Sequence, residues 1–454
     1  MDAEPYGLQR EMLLRARFGP DGHPTSHRYP PVHELLLIRG PLDTSLLARA
    51  VRQATEGVDV LRGRLRLCSG GTVRWVPDGG RPPARLEELE PGPARQVIRA
   101  GLRAAAEASF HLQEDPAARF LLARTGPDEH LLLIALDHAC ADGRTLVLLL
   151  RHLLHRYAVL AGEPAVAPAP FPAFLSFARQ FDASSAERSA ARAYWQEALG
   201  RAADRRRRPR FPGAKDSEVT SYSTDAAAQL ALDDGDLAVL NRLAQSAGSD
   251  RHRLLLAVTQ LVVSAWSEDA EPPFVPLNYF RNGRHRRGWL NVPGPLAEHA
   301  VTVPPAQEAQ EAQETWLLGE WLEGFVRANA ASPPFYGLSL RELETPDSDA
   351  QRIAVFNFLP PLGRLSAAGL RILPCPPELA AAMEPEDQSA RFALRVRLVQ
   401  DMDAPLILRI EHDPRVLADG TPFLDAAVGL VRTAAARPGL PLAEAYRRIR
   451  QHWT

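Results

Sequence analysis

The chain is poor in cysteine, nearly empty of lysine, free of long apolar runs and almost neutral, and each shortage excludes something. Its three cysteines, Cys68, Cys140 and Cys375, lie far apart and show no metal-ligand spacing, so no bound metal is expected. An odd number of scattered thiols suits a reducing compartment. A formal net charge of −2 gives no global pull toward nucleic acid or an anionic membrane. No apolar stretch approaches the roughly 20 residues that a membrane helix needs. The opening residues, MDAEPYGLQREMLL, lack the basic-then-apolar plan of a signal peptide. The expectation is a cytoplasmic protein, taken as a monomer, with neither a nucleic-acid nor a membrane partner. Lys215 is the only lysine. Beside so much Ala, Pro and Arg, that reads as the coding bias of a GC-rich genome and not as a function. A nucleophile elbow of the Gly-x-Ser-x-Gly type is missing too, which argues against a serine hydrolase.

What is present is a folded chain of 454 residues, 45% apolar and 24% charged, long enough for two domains or lobes. Tyr6 to Phe18 suits a short helix, and HELLLIRG (33–40) a strand. The segment PLDTSLLARAVRQATEGV carries Leu46, Leu47, Val51 and Ala54 on one helical face. LRGRLRL alternates with period two and finds a partner strand in GGTVRWVPDGG. ARFLLARTGPDEHLLLIALDH reads as a hairpin whose second strand, with six apolar residues in a row, is buried on both faces. From Thr145 to Leu160 the spacing turns helical, with Leu146, Leu149, Leu150, Leu153, Leu154 and Tyr157 in one stripe. The proline-rich GEPAVAPAPFPAF cannot continue that helix and marks a lobe boundary, dividing the chain into 1–172 and 173–454. Strands and helices mix in both halves, so the fold class is α/β with two related lobes. RAADRRRRPR (201–210) reads as a solvated loop, with docking of an acidic partner as the alternative. His152 and His155 lack a third ligand and read as a surface pair.

The chemistry concentrates in LLLIALDHACADGRTLVLLL (131–150). Asp137, His138, Asp142 and Gly143 interrupt two apolar runs at a strand-to-helix turn. The carboxyl end of a strand is where α/β sheets present ligand sites. Neutral histidine can accept a proton from an amine or hydroxyl near neutral pH, which makes His138 a candidate base. Gly143 lets backbone approach a substrate, and the helix start leaves N–H groups facing developing negative charge. Asp142 can orient the loop. Asp137 is either a second acid or a cap at the strand end.

DHACADG (137–143) resembles the H-H-x-x-x-D-G motif of the condensation domains of nonribosomal peptide synthetases, within the chloramphenicol-acetyltransferase-like acyltransferases. Six other segments resemble family stretches in the same order: YGLQREMLL; HELLLIRG through GRLRL; ARAYWQEAL, which opens the second lobe; LNYFRNGRHRRGWLNVPGPLAEHAVTV; AVFNFL; and LILRIEHD. The resemblance implies two lobes in a V with a tunnel between them. A carrier protein's phosphopantetheine thioester (or coenzyme A) would enter one mouth and an amine or hydroxyl acceptor the other, with no cofactor bound. It implies that His138 is the catalytic base or the group that orients the nucleophile, that Gly143 faces the tetrahedral intermediate, and that Asp142 is held by an arginine of the second lobe. That arginine is Arg284, or alternatively Arg281. Asp137 and Asn357 would line the tunnel. Three departures stand out: Asp137 replaces the first motif histidine, Pro360 a usual glycine, and Glu298 and His299 occupy an asparagine-containing stretch. With no carrier domain or adenylation signature in the sequence, a free-standing condensation enzyme of natural-product biosynthesis is expected. The alternatives are an acyl-CoA-dependent transferase and a non-catalytic recruitment domain.

Overall fold

A computed structural model describes residues 3–13, 16–18, 24–27, 31–67, 73–77, 80–111, 114–164, 168–181, 185–204, 222–223, 226–266, 274–305, 316–339, 343, 354–359, 365–376, 379, 389–390, 393–399 and 406–452. Among these, twelve strands build two six-stranded sheets. In chain order they are β1 Val32–Arg39, β2 Leu86–Leu89, β3 Ala118–Gly126, β4 Glu129–Leu136, β5 Ala226–Ala231, β6 Asn278–Asn282, β7 Ala297–Val301, β8 Ala354–Leu359, β9 Leu365–Ala367, β10 Leu370–Pro374, β11 Leu394–Val399 and β12 Ile407–His412. The first sheet is ordered β9-β10-β1-β4-β3-β2 and the second β5-β12-β11-β8-β6-β7. Four helices matter below: α1 Gly7–Leu13, α2 Thr44–Glu56, α3 Gly143–Leu160 and α4 Arg251–Ala265.

The apolar run of β4 is fully buried on both faces. Leu132, Ile134 and Leu136 point into the core shared with α2 and α3. Leu131 and Leu133 point the other way, against Val97, Ile98 and Leu102 of a helical stretch. A strand covered on both sides has no polar positions to alternate with. The second lobe is centred on α4, whose residues Leu254 to Ala265 are all buried. Trp195, from the ARAYWQEAL segment, joins that second core and stacks on Phe335 with centroids 4.5 Å apart.

The boundary expected at 172/173 does not divide the two cores. Phe174, Phe177 and Phe181 pack into the first core, together with Val292, Leu296, Ala367, Leu370 and Ile372. The β9–β10 hairpin completes the first sheet, with Ile372 beside Ile38 and Leu373 beside Leu37. The second part of the chain therefore reaches back to close the first lobe. Two local expectations also change. Tyr6–Phe18 is a helix only over Gly7–Leu13, followed by the strand Ala16–Phe18. His152 is not a surface residue: it is buried against Phe171 at 4.7 Å, and burial first, then Arg156 and His155, lower its pKa to about 4. No helix among the described residues is long and apolar enough to cross a membrane.

Candidate active site

The site begins where β4 ends. Asp137 N donates to Ala117 O at 2.9 Å, and Cys140 N donates to Asp137 O at 2.8 Å, closing a tight turn. The Asp137 carboxylate is fully buried. It accepts from Ala139 N at 2.9 Å and from Arg81 Nη2 at 2.8 Å. Arg81 also donates through Nε to Asp115 O at 3.0 Å and through Nη1 to Cys140 Sγ at 3.2 Å. Burial works against the Arg81 charge, but Asp137 outweighs it and holds the guanidinium more firmly protonated. Burial, with Asp137 nearby, pushes the Cys140 thiol up to about 12, so it stays protonated. Asp137 thus offers no surface to a tunnel, correcting the expectation for it. It braces the turn, and Arg81 supplies the counter-charge that its replacement of a histidine demands. No motif around Arg81 points to this role.

His138 sits in that turn, half-buried. Its Nδ1 lies 3.1 Å from Ala141 O. A carbonyl oxygen only accepts, so Nδ1 carries the hydrogen and the neutral ring has its basic lone pair on Nε2. From the other side, Gln9 of α1 donates through Nε2 to Ala139 O at 2.9 Å and accepts Tyr6 N at 3.0 Å.

Asp142 caps α3 and is buried. Its Oδ1 accepts Thr145 N at 2.8 Å and Arg284 Nη2 at 3.1 Å. Its Oδ2 accepts Arg284 Nη1 at 2.8 Å, Leu296 N at 3.0 Å and Ala297 N at 2.9 Å. Burial alone would raise the Asp142 pKa, but Arg284 and Thr145 hold it below the usual carboxylate range. Thr145 Oγ1 lies 2.8 Å from both Asp142 Oδ1 and Gly294 O, and it accepts Gly294 N at 2.9 Å. Gly294, at φ 151°, approaches so closely that a Cβ there would come within 2.5 Å of Phe174. Gly143 is the opposite case: a Cβ there would meet nothing within 4 Å.

Arg281 is used elsewhere. It pairs with Glu298 at 3.2 Å and donates to Ser332 Oγ at 2.9 Å and Pro333 O at 3.0 Å. Glu298 also meets His285 Nε2 at 2.9 Å and accepts Phe335 N at 3.0 Å. Burial opposes its charge, but His285 and Arg281 outweigh burial and keep it ionised. His299 lies 3.6 Å from Glu11 of α1 and stacks on Phe280. Glu298 and His299 are themselves buried, and each departure is met by partners: Arg281 and His285 for Glu298, Glu11 and Phe280 for His299. Asn357 is half-buried on β8, beside Arg397 of β11 in the sheet register. Pro360 lies outside the described residues. Among the described residues, no three His, Cys, Asp or Glu side chains gather to hold a metal.

The condensation-domain sequence model matches residues 23–274. The chain belongs to the condensation-domain family. Curated relatives include cyclosporin synthetase simA of Tolypocladium inflatum, 27% identical over 162 residues, which is 36% of this chain and 1% of that protein. Enniatin synthetase of Fusarium oxysporum is 29% identical over 171 residues, 36% of this chain and 5% of that protein. The matches thus cover only a few per cent of these synthetases. Among solved structures, the first condensation domain of the calcium-dependent antibiotic synthetase, in complex with a substrate analogue, aligns over 98% of this chain and 99% of that one, with a TM-score of 0.71 and 18% identity. A mutant starter condensation domain of the rhizomide synthetase RzmA, in complex with C8-CoA, covers 98% of this chain and 97% of that one, with a TM-score of 0.72 and 16% identity. At such identities the likeness is one of fold. The two sheet-and-helix lobes have the chloramphenicol-acetyltransferase-like fold, and the condensation family forms amide or ester bonds in nonribosomal peptide synthesis.

Proposed function

We propose that this condensation-family protein transfers an acyl or aminoacyl group from the phosphopantetheine thioester of a carrier protein to an amine or hydroxyl. The product is an amide or ester of a natural product. The observation that carries this reading is the orientation of His138, whose Nδ1–H is tied to Ala141 O so that the basic lone pair sits on Nε2. In the proposed step the acceptor N or O bonds to the thioester carbonyl carbon as Nε2 takes its proton. The carbonyl oxygen becomes an oxyanion beside the first turn of α3, where helix N–H groups favour negative charge. The C–S bond then breaks, and the departing sulfur takes the proton back from Nε2. Gly143 supports the same reading, because the space beside it is left open by the chain itself. Asp142 acts through structure, fixing α3 and the turn to the second lobe. The donor and acceptor would meet between the lobes, with Asn357 on the acceptor side.

A second reading uses acyl-coenzyme A directly. It is favoured by the RzmA starter domain having been solved with C8-CoA. The recruitment reading has a counterpart in the X-domain of teicoplanin biosynthesis, solved in complex with OxyB. Intact His138, Asp142 and Gly143 favour catalysis over it. The test is kcat/KM for one acyl group presented on a carrier protein and on coenzyme A, against a panel of amines and alcohols. The expected result is amide or ester product with the carrier-bound donor preferred. Preference for coenzyme A would move the second reading ahead, and no product from any thioester would overturn both.

A further inference from the structure

Two basic runs stand out in the sequence, and of their described residues only Arg286 and Arg287 of the second are exposed. Arg205–Arg210 lies outside the described residues. In RNGRHRR, Arg284 is buried and Arg281 half-buried in ion pairs, while Arg286 pairs with Glu187 at 3.3 Å and lies 4.7 Å from the Trp289 ring centre. A longer concentration of described arginines without an ion pair lies on α3 and α2. α3 starts at the Asp142 cap and contains no acidic residue in 18 positions. Arg144, Arg151 and His155, at seven- and four-residue steps, fall on one side of the helix. With Arg156 and Val159 they make up most of the helix surface that is not buried. α2 packs beside α3 over the same face of the first sheet and exposes Arg49 and Arg52. The two helices together carry five arginines and one glutamate, Glu56. Among the described residues, none of the five is ion-paired; Arg156 donates only to His152, at 3.3 Å. Arg144, next to Gly143, is half-buried, and burial, then Arg284 and Arg151, outweigh Asp142 in disfavouring its charge. In a chain of net charge −2, this is a concentrated cationic track that starts at the catalytic turn and runs outward along the first lobe.

We propose that this track is the docking face for an acidic surface of the protein that delivers the thioester. The proposal rests on the function given above, since it names the partner of that same site. A positive stripe steers a negatively charged protein during encounter and fixes its orientation more than it adds raw affinity. A partner held there presents its prosthetic arm toward the Gly143 end, where the chain leaves space. Arginines that merely solubilise the surface would gain nothing from such concentration along one track, nor from the like-charge repulsion at its inner end.

The probe is an acidic acyl carrier protein loaded with octanoyl-phosphopantetheine, and the measurement is its Kd for the full chain at low salt and at about 0.15 M salt. The parent protein should bind, more weakly at the higher salt. Arg151→Glu should weaken binding roughly tenfold at low salt. The double variant Arg49→Glu/Arg52→Glu should also weaken it. Arg242→Glu, on an exposed position of the second-lobe helix Asp234–Ser246, should not. No binding by the parent, parent-like binding by Arg151→Glu, or an equal loss in Arg242→Glu would each overturn the proposal. The parent is assayed separately with the octanoyl thioester of N-acetylcysteamine, which has no carrier. Absence of turnover there, with Arg151-dependent binding intact, removes the proposed chemistry but keeps the docking face.

Discussion

At the scale of single residues, the turn holds its histidine by ordinary means. His138 is held by a hydrogen bond to Ala141 O, while Asp137 beneath it is neutralised by Arg81. Gly143 separates structure from function more sharply than any neighbour, since neither its own φ nor its packing requires a glycine. Gly143→Ala should leave the melting temperature unchanged or slightly higher, because alanine favours a helix by about 1 kcal/mol over glycine. It should nonetheless lower turnover, by up to about a hundredfold if the added methyl displaces the reacting group by an ångström. A parallel loss of stability and turnover would return Gly143 to a packing role. His138, Asp142 and Gly143 were legible because they share seven residues of sequence with a known pattern. Arg81 was not, because its partner Asp137 lies 56 residues away and no local pattern joins an arginine to a carboxylate at that separation.

At the scale of elements, two caps carry testable charge. The Asp142 carboxylate is both the N-cap of α3 and the socket for Arg284. Removing either partner of a buried pair strands the other, at a cost of roughly 3–5 kcal/mol. Asp142→Ala and Arg284→Ala should each lower the melting temperature, and the double variant should lose less than the sum. Strict additivity would argue against the coupling. Asp250 caps α4, accepting His252 N and Arg253 N, each at 3.0 Å. Burial opposes its charge, but the His252 ring, then the Arg253 N–H and guanidinium, lower its pKa to about 2. A depressed carboxylate stabilises the fold fully above its unfolded pKa, near 4, and loses that contribution as pH falls toward 2. Urea unfolding of Asp250→Asn should show less pH dependence across that window than the parent, and Asp250→Ala should cost about 1 kcal/mol at neutral pH. Elements with strong periodicity, β4 and α3 above all, were readable from sequence. The β9–β10 hairpin was not. Its strands are short, its turn is made by Ala368 and Gly369 at positive φ, and its partner β1 is more than three hundred residues upstream.

At the scale of the whole molecule, the lobes are closed by exchange across the chain. The proline-rich segment did signal a change of element, but the first core continues past it through Phe174, Phe177 and Phe181 and then borrows from Val292, Leu296 and the β9–β10 hairpin. A sequence boundary marks where a helix must stop, whereas a core boundary depends on which distant surfaces meet. Residues 1–172 expressed alone should therefore not fold cooperatively. They would leave β1 without its neighbour β10 and expose an unpaired, apolar sheet edge. A soluble fragment with a sharp thermal transition would contradict this. The same exchange explains why the candidate site is well held: α1 touches the His138 turn through Gln9 and the second lobe through Glu11, while Arg284 reaches back to Asp142.

The central claim is that His138 handles the proton of the acceptor nucleophile. It is tested most directly by kcat/KM of His138→Ala against the parent, with a carrier-bound thioester and an accepted amine or alcohol, alongside the melting temperature of each. The account predicts a loss of about 10²–10⁴ in rate at an unchanged melting temperature. Equal turnover in the variant and the parent would contradict it.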